Sequence, residues 1–311
     1  MRALVTGAAG FAGRHLTACL LARGHEVVAA DRAELPYELP SAGRGVQLDI
    51  TDAQACWEVL HEAKADALFH LAGYAHVGRA ESDAAACVSV NVDGTRNLLE
   101  ACLDGHANVR MLLVSSAEVY GAVYAQDLPL NEDHPLRPGT LYGVSKASAE
   151  MFAQHAAARG LHVVIARAFS HIGPGQSEQF VSAAFAQQIA LIEAGRQEPV
   201  LRVGNLGAVR DFSDVADTVV GYVAALEHGH PGEAFNVTSG SPVAIQDLLE
   251  ALLAHSSVAI EVEQDPERMR PLDVPVFTGD GSRLAERAGF APGFDLSVTL
   301  GRVLDDWRQR I

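Results

Sequence analysis

Short apolar runs rich in β-branched residues alternate with longer amphipathic segments along the first half of the chain. This alternation is typical of parallel βα units, in which a helix connects each strand to the next. The pattern predicts strands at residues 2–6, 26–30, 45–48, 67–71, 110–115 and 162–166. It predicts helices at residues 11–23, 53–63, 84–104 and 141–159. Because strands that are apolar on both faces lie between two layers of helices, we predict an α/β fold built on a doubly wound parallel sheet.

The second half of the chain has a different pattern. After about residue 168 the alternation weakens, and glycine and proline separate shorter elements. The elements predicted here are helices at residues 245–255 and 296–309 and a strand at residues 259–263. We therefore expect a first domain at residues 1–168 and a smaller α/β lobe at residues 169–311, from which segments can return to the first sheet.

Composition and charge narrow the possible functions. The 311 residues are 49% hydrophobic and 20% charged, which allows a large core and excludes intrinsic disorder. The net charge of -16 repels polyanions, so neither nucleic acid nor an anionic membrane surface is an expected partner. The sequence has no apolar run long enough to span a membrane, no signal-peptide pattern and four scattered cysteines without metal-ligand spacing. These features predict a cytoplasmic protein without a bound metal.

A glycine-rich loop follows the first predicted strand. The sequence T-G-A-A-G-F-A-G places Gly7, Gly10 and Gly13, with Phe11 among them, at the start of the first helix. Glycines at this spacing allow a tight turn, the approach of a pyrophosphate to the helix N-terminus and close packing of the helix on the sheet. The second strand leads to Asp31, at the position where a ribose hydroxyl partner is expected. Together these features predict a Rossmann-type, NAD(P)-binding first domain.

The preference between NADH and NADPH stays open at this point. Asp31 favours NAD because it would repel a 2′-phosphate, whereas Arg32 and Arg14 are candidate partners for that phosphate. Further cofactor contacts are expected where the neighbouring strands end, because a parallel sheet forms its ligand crevice at the carboxyl ends of its strands. The candidates there are Asp49, Ile50, Leu71 and Ala72.

Tyr142 and Lys146 lie four residues apart, on one face of a predicted helix. At this spacing an ammonium group can lie near a phenol and favour its ionised form. Such a phenol can transfer a proton to a carbonyl oxygen while hydride reaches the adjacent carbon. Ser116, at the end of the fifth predicted strand, can hydrogen-bond the same oxygen. The sequence therefore predicts a Ser/Tyr/Lys site for carbonyl reduction or its reverse.

With these motifs, the chain resembles the extended short-chain dehydrogenase/reductase family, in its branch that modifies nucleotide sugars. The matching segments are T-G-A-A-G-F-A-G at 6–13, the strand end at 31, H-L-A-G at 70–73, S-S-A-E-V-Y-G at 115–121, Y-G-V-S-K at 142–146 and R-D-F at 210–212. Within this branch, the segments most similar to GDP-4-dehydro-6-deoxy-D-mannose reductases are 170–176, 178–181 and 268–275. Members of that group form GDP-D-rhamnose.

The resemblance implies a role for each matched position of the catalytic region. Tyr142 would donate the proton, and Lys146 would hold the nicotinamide ribose and tune the phenol. Ser116 would orient the substrate oxygen. Asn91, within the long fourth-helix segment, matches an asparagine that supports the catalytic region in relatives.

The resemblance also implies a GDP-sugar substrate. Arg210 and Arg270 match positions that bind the nucleotide diphosphate, a role that suits a planar, bidentate donor in an acidic chain. Ser170 stands where many relatives carry asparagine, and Gln179 lies in a matched segment; both are implied substrate contacts. Relatives form homodimers through the helices that correspond to residues 84–104 and 141–159, so a homodimer is expected here.

Three functions are considered, and the resemblance favours a reductase. In that reaction, hydride from NAD(P)H reaches C4 of GDP-4-dehydro-6-deoxy-D-mannose and Tyr142 protonates the oxygen. A nucleotide-sugar 4,6-dehydratase or 4-epimerase would use the same Ser/Tyr/Lys set and recycle its cofactor. Glu118, two residues after Ser116, stands where the dehydratases carry a catalytic glutamate, or it is a bystander that faces the loop. A non-catalytic dinucleotide sensor is the third candidate, and the Tyr/Lys pair argues against it.

Overall fold

A large parallel sheet forms the centre of the molecule. The computed structural model describes residues 1–75, 77–105, 108–268, 275–293 and 295–311. The strands in chain order are β1 (Arg2–Thr6), β2 (Glu26–Asp31), β3 (Gly43–Gln47), β4 (Ala67–His70), β5 (Arg110–Ser116), β6 (His162–Ala168), β7 (Ser170–Ile172), β8 (Val200–Val203), β9 (Val209–Asp214), β10 (Ala234–Val237), β11 (Pro242–Ala244), β12 (Glu261–Gln264) and β13 (Val276–Phe277).

Helices connect most of these strands. They are α1 (Phe11–Ala22), α2 (Ala53–Ala63), α3 (Val77–Ser82), α4 (Ala84–Val88), α5 (Thr95–Gly105), α6 (Leu141–Ala158), α7 (Val181–Glu193), α8 (Val215–His228), α9 (Ile245–Leu253), α10 (Ser282–Ala288) and α11 (Leu296–Arg310). A π-helical turn at Ser89–Gly94 joins α4 to α5. Short 3-10 turns lie at Ala117–Tyr120, Ala125–Asp127 and Pro266–Arg268.

The sheet has the topology of a doubly wound fold. Seven strands are arranged in the order β10-β6-β5-β4-β1-β2-β3, and all neighbouring pairs are parallel. From β1 the chain proceeds to β2 and β3 on one side, and from β4 to β5 and β6 on the other. The order therefore reverses between β1 and β4, and a ligand crevice is expected at the carboxyl ends of these two strands. The predicted α/β class is confirmed.

Helices cover both faces of this sheet. On one face, Leu16 of α1 and Val219 of α8 pack into one apolar core. On the other, Leu60 of α2, Leu98 of α5 and Ala153 of α6 pack into a second core. Because each face buries its own core, the amphipathic helices of the first half are fixed to the strands that precede and follow them.

The later part of the chain forms two smaller sheets and also contributes to the large one. β7, β9, β11 and β13 form a four-stranded sheet, and β8 pairs with β12. Helices α7, α9 and α11 pack around Ile189, Leu249 and Leu304. β10 comes from this part of the chain, yet it completes the seven-stranded sheet beside β6. Residues 169–311 thus return a segment to the first sheet.

Some element bounds differ from the sequence pattern. The single helix predicted at residues 84–104 is divided by the π-helical turn, where the buried Asn91 side chain bonds to other segments. The strand predicted at 45–48 runs from Gly43 to Gln47, since its pairing with β2 sets its length. Hydrophobic periodicity reports which face is buried, and it does not report such polar contacts or pairing partners.

Candidate active site

The glycine-rich loop packs against the end of β4. Gly7 has a φ of 76°, a left-handed conformation that glycine adopts without strain. A Cβ atom on Gly7 would lie 2.6 Å from the backbone nitrogen of Ala72, and one on Gly13 would overlap the carbonyl oxygen of Gly7. Both positions therefore require glycine, and the loop lies flat against the neighbouring strand end.

The N-terminus of α1 faces this loop. The helix begins at Phe11, its N-cap residue Gly10 makes no side-chain capping bond, and its first turn carries no acidic residue. The first backbone N–H groups of a helix lack partners within the helix, and they suit a bound phosphate when no side chain takes them. The loop and the helix start therefore fit the pyrophosphate of a dinucleotide.

Asp31 fixes the loop to the end of β2. Its carboxylate accepts hydrogen bonds from the backbone nitrogens of Ala9, at 2.9 Å, and Ala33, at 3.0 Å. Arg32 is exposed next to it. Arg14 instead donates to the carbonyl oxygen of Gly175, so its guanidinium joins α1 to the segment after β7.

The other predicted cofactor residues lie at the carboxyl ends of β3 and β4. Asp49 is exposed and accepts a 2.9 Å hydrogen bond from the Thr51 nitrogen, while Ile50 is buried beneath it. The Leu71 nitrogen donates to the Thr6 carbonyl oxygen at 3.1 Å. Ala72 contacts the glycine loop, as described above. The structure thus brings the predicted cofactor residues to one edge of the sheet, over the neighbouring strands β4, β1, β2 and β3.

Ser116, Tyr142 and Lys146 come together at the same edge. Ser116 ends β5, and its side chain lies near that of Tyr142 in the first turn of α6. Tyr142 and Lys146 are 9% and 7% exposed. The Lys146 ammonium donates a 2.9 Å hydrogen bond to the Val114 carbonyl oxygen. The spacing of four residues predicted that Tyr142 and Lys146 share one helix face. The end of β5 places Ser116 and the Val114 carbonyl beside them.

Burial controls the protonation of the tyrosine and the lysine. Burial raises the pKa of Tyr142 to about 12, against a smaller lowering by Ser116, so the phenol is protonated at neutral pH. Burial also lowers the pKa of Lys146 to about 8. The sequence predicted that Lys146 would favour the ionised phenol, but in this geometry its ammonium is directed at Val114 and desolvation dominates. The phenol is therefore set up as a proton donor.

Asn91 supports α6 from the π-helical turn. Its side-chain nitrogen donates to the Ser145 hydroxyl at 2.8 Å, and Ser145 donates to the Tyr142 carbonyl oxygen at 2.7 Å. Its side-chain oxygen accepts from the Tyr74 nitrogen at 2.7 Å. The asparagine thus links the segment after β4 to the first turn of α6.

Glu118 lies close to Tyr142. It follows Ser116 in a 3-10 turn, and its backbone nitrogen donates to the Ser116 hydroxyl at 3.2 Å. Its negative charge is one of the causes that raise the pKa of Tyr142. Glu118 is therefore part of the electrostatic environment of the phenol and not a distant loop residue.

The predicted substrate residues lie beyond β6 and on β9. Ser170 begins β7 and is exposed, and Gln179 is half-buried just before α7. Arg210 lies on β9, next to the buried Asp211. Arg270 lies outside the described residues.

Asp211 holds the part of the lobe that carries Arg210. It is 1% exposed. It accepts hydrogen bonds from the backbone nitrogens of Ser239, Gly240 and Gly279 and from the hydroxyls of Thr238 and Ser239. The carboxylate thus joins β9 to the turn after β10 and to the segment after β13. In the sequence, Asp211 is visible only as part of the R-D-F motif, which does not reveal these hydrogen bonds.

Two further buried residues behind the site, Glu150 and His70, were not predicted from the sequence. Glu150 is four residues after Lys146 on α6 and is paired with Arg167 of β6. His70 ends β4 and lies between two threonine hydroxyls. The i, i+4 spacing that links Tyr142 to Lys146 also reaches Glu150, so that residue had a signal in the sequence. His70 had only its place in H-L-A-G.

In the described part of the chain, no three His, Cys, Asp or Glu side chains are grouped as a metal ion would require. Over the same residues, no helix is both long enough and apolar enough to cross a bilayer.

The chain is similar to known proteins over nearly its whole length. The GDP-mannose 4,6 dehydratase family matches residues 4–302. GDP-6-deoxy-D-mannose reductase from Pseudomonas aeruginosa is 37% identical over 100% of this chain and 98% of its own length. The structure of RMD from Pseudomonas aeruginosa complexed with NADPH superposes with a TM-score of 0.88 at 33% identity and covers 100% of both chains. UDP-glucose 4-epimerase from Thermus thermophilus, in complex with NAD, has a TM-score of 0.88 at 27% identity, again over 100% of both chains.

These matches extend over nearly the whole chain, and they agree with the resemblance that the motifs indicated. The chain belongs to the GDP-mannose 4,6 dehydratase family of extended short-chain dehydrogenases/reductases.

Proposed function

We propose that this protein reduces the C4 ketone of GDP-4-dehydro-6-deoxy-D-mannose with NAD(P)H and forms GDP-D-rhamnose. The observation that carries the proposal is the grouping of Ser116, Tyr142 and Lys146 at the edge of the sheet that fits a dinucleotide. The choice of substrate is supported by the 37% identity to a GDP-6-deoxy-D-mannose reductase.

Tyr142 would protonate the developing alcohol. Its phenol carries a proton at neutral pH because burial raises its pKa to about 12. Ser116 lies near this phenol, so both hydroxyls can contact one carbonyl oxygen and stabilise the charge that develops there. When bound, NAD(P)H supplies the hydride that C4 receives. The C4 oxygen gains the Tyr142 proton, so the ketone becomes a secondary alcohol and the phenol is left as phenolate.

Lys146 would stabilise that phenolate. Its pKa of about 8 leaves the ammonium mostly charged at pH 7. One of its three N–H groups is used by the Val114 carbonyl oxygen, which holds the nitrogen at the end of β5. The others remain for the nicotinamide ribose that the family resemblance assigns to this lysine.

The substrate would lie between the first domain, residues 1–168, and the lobe formed by residues 169–311. Arg210 and Arg270 would bind the GDP diphosphate, and Ser170 and Gln179 would contact the sugar or phosphate. Asp211 supports this assignment, because its five hydrogen bonds fix the strand that carries Arg210. The acidic chain would thus bind its anionic ligand through a few placed guanidinium groups.

The cofactor assignment rests on the glycine loop, and both forms of the dinucleotide are candidates. The relative from Pseudomonas aeruginosa was solved with NADPH, whereas the epimerase from Thermus thermophilus was solved with NAD. Asp31 favours NADH, and Arg32 is the exposed cation beside it that can meet a 2′-phosphate. The cytoplasmic location stays a prediction from the sequence.

A homodimer through α6 is part of the proposal. Large apolar side chains are exposed on α4 and α6: Val88 is 41%, Val144 45%, Met151 54% and Phe152 37% exposed. Val144, Met151 and Phe152 follow the spacing of one helix face, and an exposed apolar patch of this kind marks a protein contact. We expect light scattering to give a dimer for the native chain and a monomer for Phe152→Asp. A native monomer would contradict this interface.

A 4,6-dehydratase is the second candidate, and the position of Glu118 favours it. A dehydratase needs an additional acid/base to remove the C5 proton and expel the 6-hydroxyl, and Glu118 lies close enough to raise the pKa of Tyr142. A reductase needs only the Tyr142 proton.

One set of incubations separates the candidates. The protein is mixed with GDP-4-dehydro-6-deoxy-D-mannose and NADH or NADPH, and the absorbance of the reduced nicotinamide is followed. Loss of one reduced cofactor per GDP-deoxyhexose formed supports the reductase, and Tyr142→Phe should abolish it. In a parallel incubation with GDP-mannose, its conversion to a 4-keto sugar without net cofactor consumption would replace the proposal with the dehydratase. Dinucleotide binding without turnover of either sugar would indicate the sensor.

A further inference from the structure

A buried histidine lies between the glycine loop and the catalytic helix. His70 is the last residue of β4 and is 2% exposed. Thr6, the residue immediately before Gly7, lies directly across from it on β1. Thr95, the first residue of α5, lies on its other side. Both threonines are as buried as the histidine.

The hydrogen bonds of this group have only one consistent direction. The Thr95 hydroxyl lies 2.6 Å from the Asn91 carbonyl oxygen, and it must donate because a carbonyl cannot. Its single proton is then used, so it accepts from His70 Nε2, at 3.0 Å. A neutral imidazole carries one N–H, so Nδ1 of His70 is bare and accepts from the Thr6 hydroxyl, at 2.8 Å. For a neutral His70, these hydrogen bonds therefore select the Nε2–H tautomer.

Its neutral state agrees with its surroundings. Burial lowers the pKa of His70 to about 3, with a smaller contribution from the charge of Lys146. The oxygen of Thr6 in turn accepts from the Ala72 nitrogen, at 3.4 Å. Along the path from Ala72 to Asn91, the Thr6 and Thr95 hydroxyls each accept one hydrogen bond and donate another, so all the bonds run in one direction.

The far end of this path is the residue that holds α6. The Asn91 carbonyl oxygen accepts from Thr95, and its side chain is bonded to Tyr74 and to Ser145. Ser145 donates to the carbonyl oxygen of Tyr142. Asn91 lies in a π-helical turn, a local irregularity that is frequent at functional sites and in this chain is held by these side-chain bonds.

We propose that His70 is a positioning residue: as the Nε2–H tautomer, it connects Thr6 at the glycine loop through Thr95 to Asn91, and so sets the place of Tyr142 relative to the bound dinucleotide. The inference rests on the proposed function, since it assigns Tyr142 to the reaction. Because the path touches neither the sugar nor its diphosphate, its loss should slow the chemical step and leave substrate binding unchanged.

A matched pair of variants tests the connection. Thr95→Val has nearly the same shape and removes the hydroxyl, whereas Thr95→Ser keeps the hydroxyl. We expect Thr95→Val to lower kcat about 10-fold to 100-fold, because a displaced catalytic group has effects of this size. KM and the dinucleotide Kd should stay within about twofold of the native values, a change worth less than about 1 kcal/mol. Thr95→Ser should restore kcat. Equal kcat for the two variants would overturn the inference.

A spectroscopic measurement on the native protein tests the tautomer without any turnover. The 13 histidines are labelled with 15N, and the His70 signals are identified by their absence in His70→Gln. We expect the shifts of an Nε2–H imidazole with and without bound dinucleotide. An Nδ1–H tautomer or an imidazolium at neutral pH would overturn the inference, even if Thr95→Val failed to fold. If the GDP-sugar is not turned over at all, the proposed function fails, while the tautomer result still decides the hydrogen-bond path.

Discussion

The buried ion pair behind the catalytic helix provides a quantitative test of how the site is held. Glu150 is 0% and Arg167 4% exposed. The Arg167 Nη2 atom lies 2.9 Å from Oε2 of Glu150, and its Nε atom lies 3.2 Å from both carboxylate oxygens. The Ser115 hydroxyl donates to Oε1 at 2.5 Å. The carboxylate therefore connects the ends of β5 and β6 to α6.

Glu150 also takes part in the contacts that align β5 with α6. The Val114 carbonyl accepts from Lys146 and Ser115 donates to Glu150, while Ser116 lies near Tyr142. In a Glu150→Gln variant the Ser115 contact can remain, but the Arg167 charge is left buried without its counter-ion.

The expected cost of Glu150→Gln follows from that unpaired charge. Removing one partner of a buried ion pair typically destabilises a protein by about 3–5 kcal/mol, whereas replacing both charges removes most of that penalty. In a Glu150→Gln/Arg167→Met double variant, the carbonyl oxygen of Glu132 loses the hydrogen bond from Arg167 Nη1. Because of this lost hydrogen bond, the double variant should remain about 1–3 kcal/mol less stable than the native chain. The double variant should therefore be more stable than Glu150→Gln alone.

Urea unfolding followed by far-UV circular dichroism measures these differences. The native chain, both single variants and the double variant form a thermodynamic cycle, and Gln54→Ala on the exposed surface serves as the control. If Glu150→Gln lay within about 1 kcal/mol of the native chain, or if the two single effects simply added, the pair would not be the constraint described here.

Three other results are expected. Gly13→Ala should weaken dinucleotide binding at least about tenfold, a loss of about 1.4 kcal/mol, because its Cβ would overlap the Gly7 carbonyl oxygen; calorimetry that gives an unchanged Kd would contradict this. The folded pKa of His70, about 3, is below its unfolded value of 6.5, so its contribution to stability is complete above pH 6.5 and is lost as the pH falls towards 3. Between pH 7 and pH 4, the free energy of unfolding should therefore fall about 3 kcal/mol less for His70→Gln than for the native chain. Stability curves that run parallel over this range would refute the assignment. Finally, kcat/KM should fall above a pH of about 8 as Lys146 loses its proton, and Lys146→Arg should move that limb upward; an unmoved limb would assign it to another group.

Hydrophobic periodicity predicted the fold because each strand and helix of the first half buries a face against a core. The strand ends at Asp31, Asp49 and Leu71 could be placed at one edge of the sheet because parallel strands share a direction. The spacing of Tyr142 and Lys146 identified a helix face in the same way. In each case the signal is local, so it can be read from neighbouring residues.

What the sequence could not predict depends on contacts between distant segments. The π-helical turn at Asn91 is held by bonds to Tyr74 and Ser145, and neither partner is visible in a helical pattern. The dominance of burial in setting the pKa of Tyr142 and the contact of Lys146 with the Val114 carbonyl are tertiary features as well. Only the fold shows that His70 lies between two hydroxyls.

Transfer of a labelled hydride tests the central claim most directly. The protein is incubated with GDP-4-dehydro-6-deoxy-D-mannose and a reduced cofactor that carries deuterium on the reactive face of C4 of its nicotinamide ring. The sugar product is then examined by mass spectrometry and NMR. The Ser116–Tyr142–Lys146 site predicts one deuterium at C4 of the GDP-deoxyhexose for each cofactor oxidised. A product without deuterium at C4, or turnover that leaves the cofactor reduced, would contradict the reductase function.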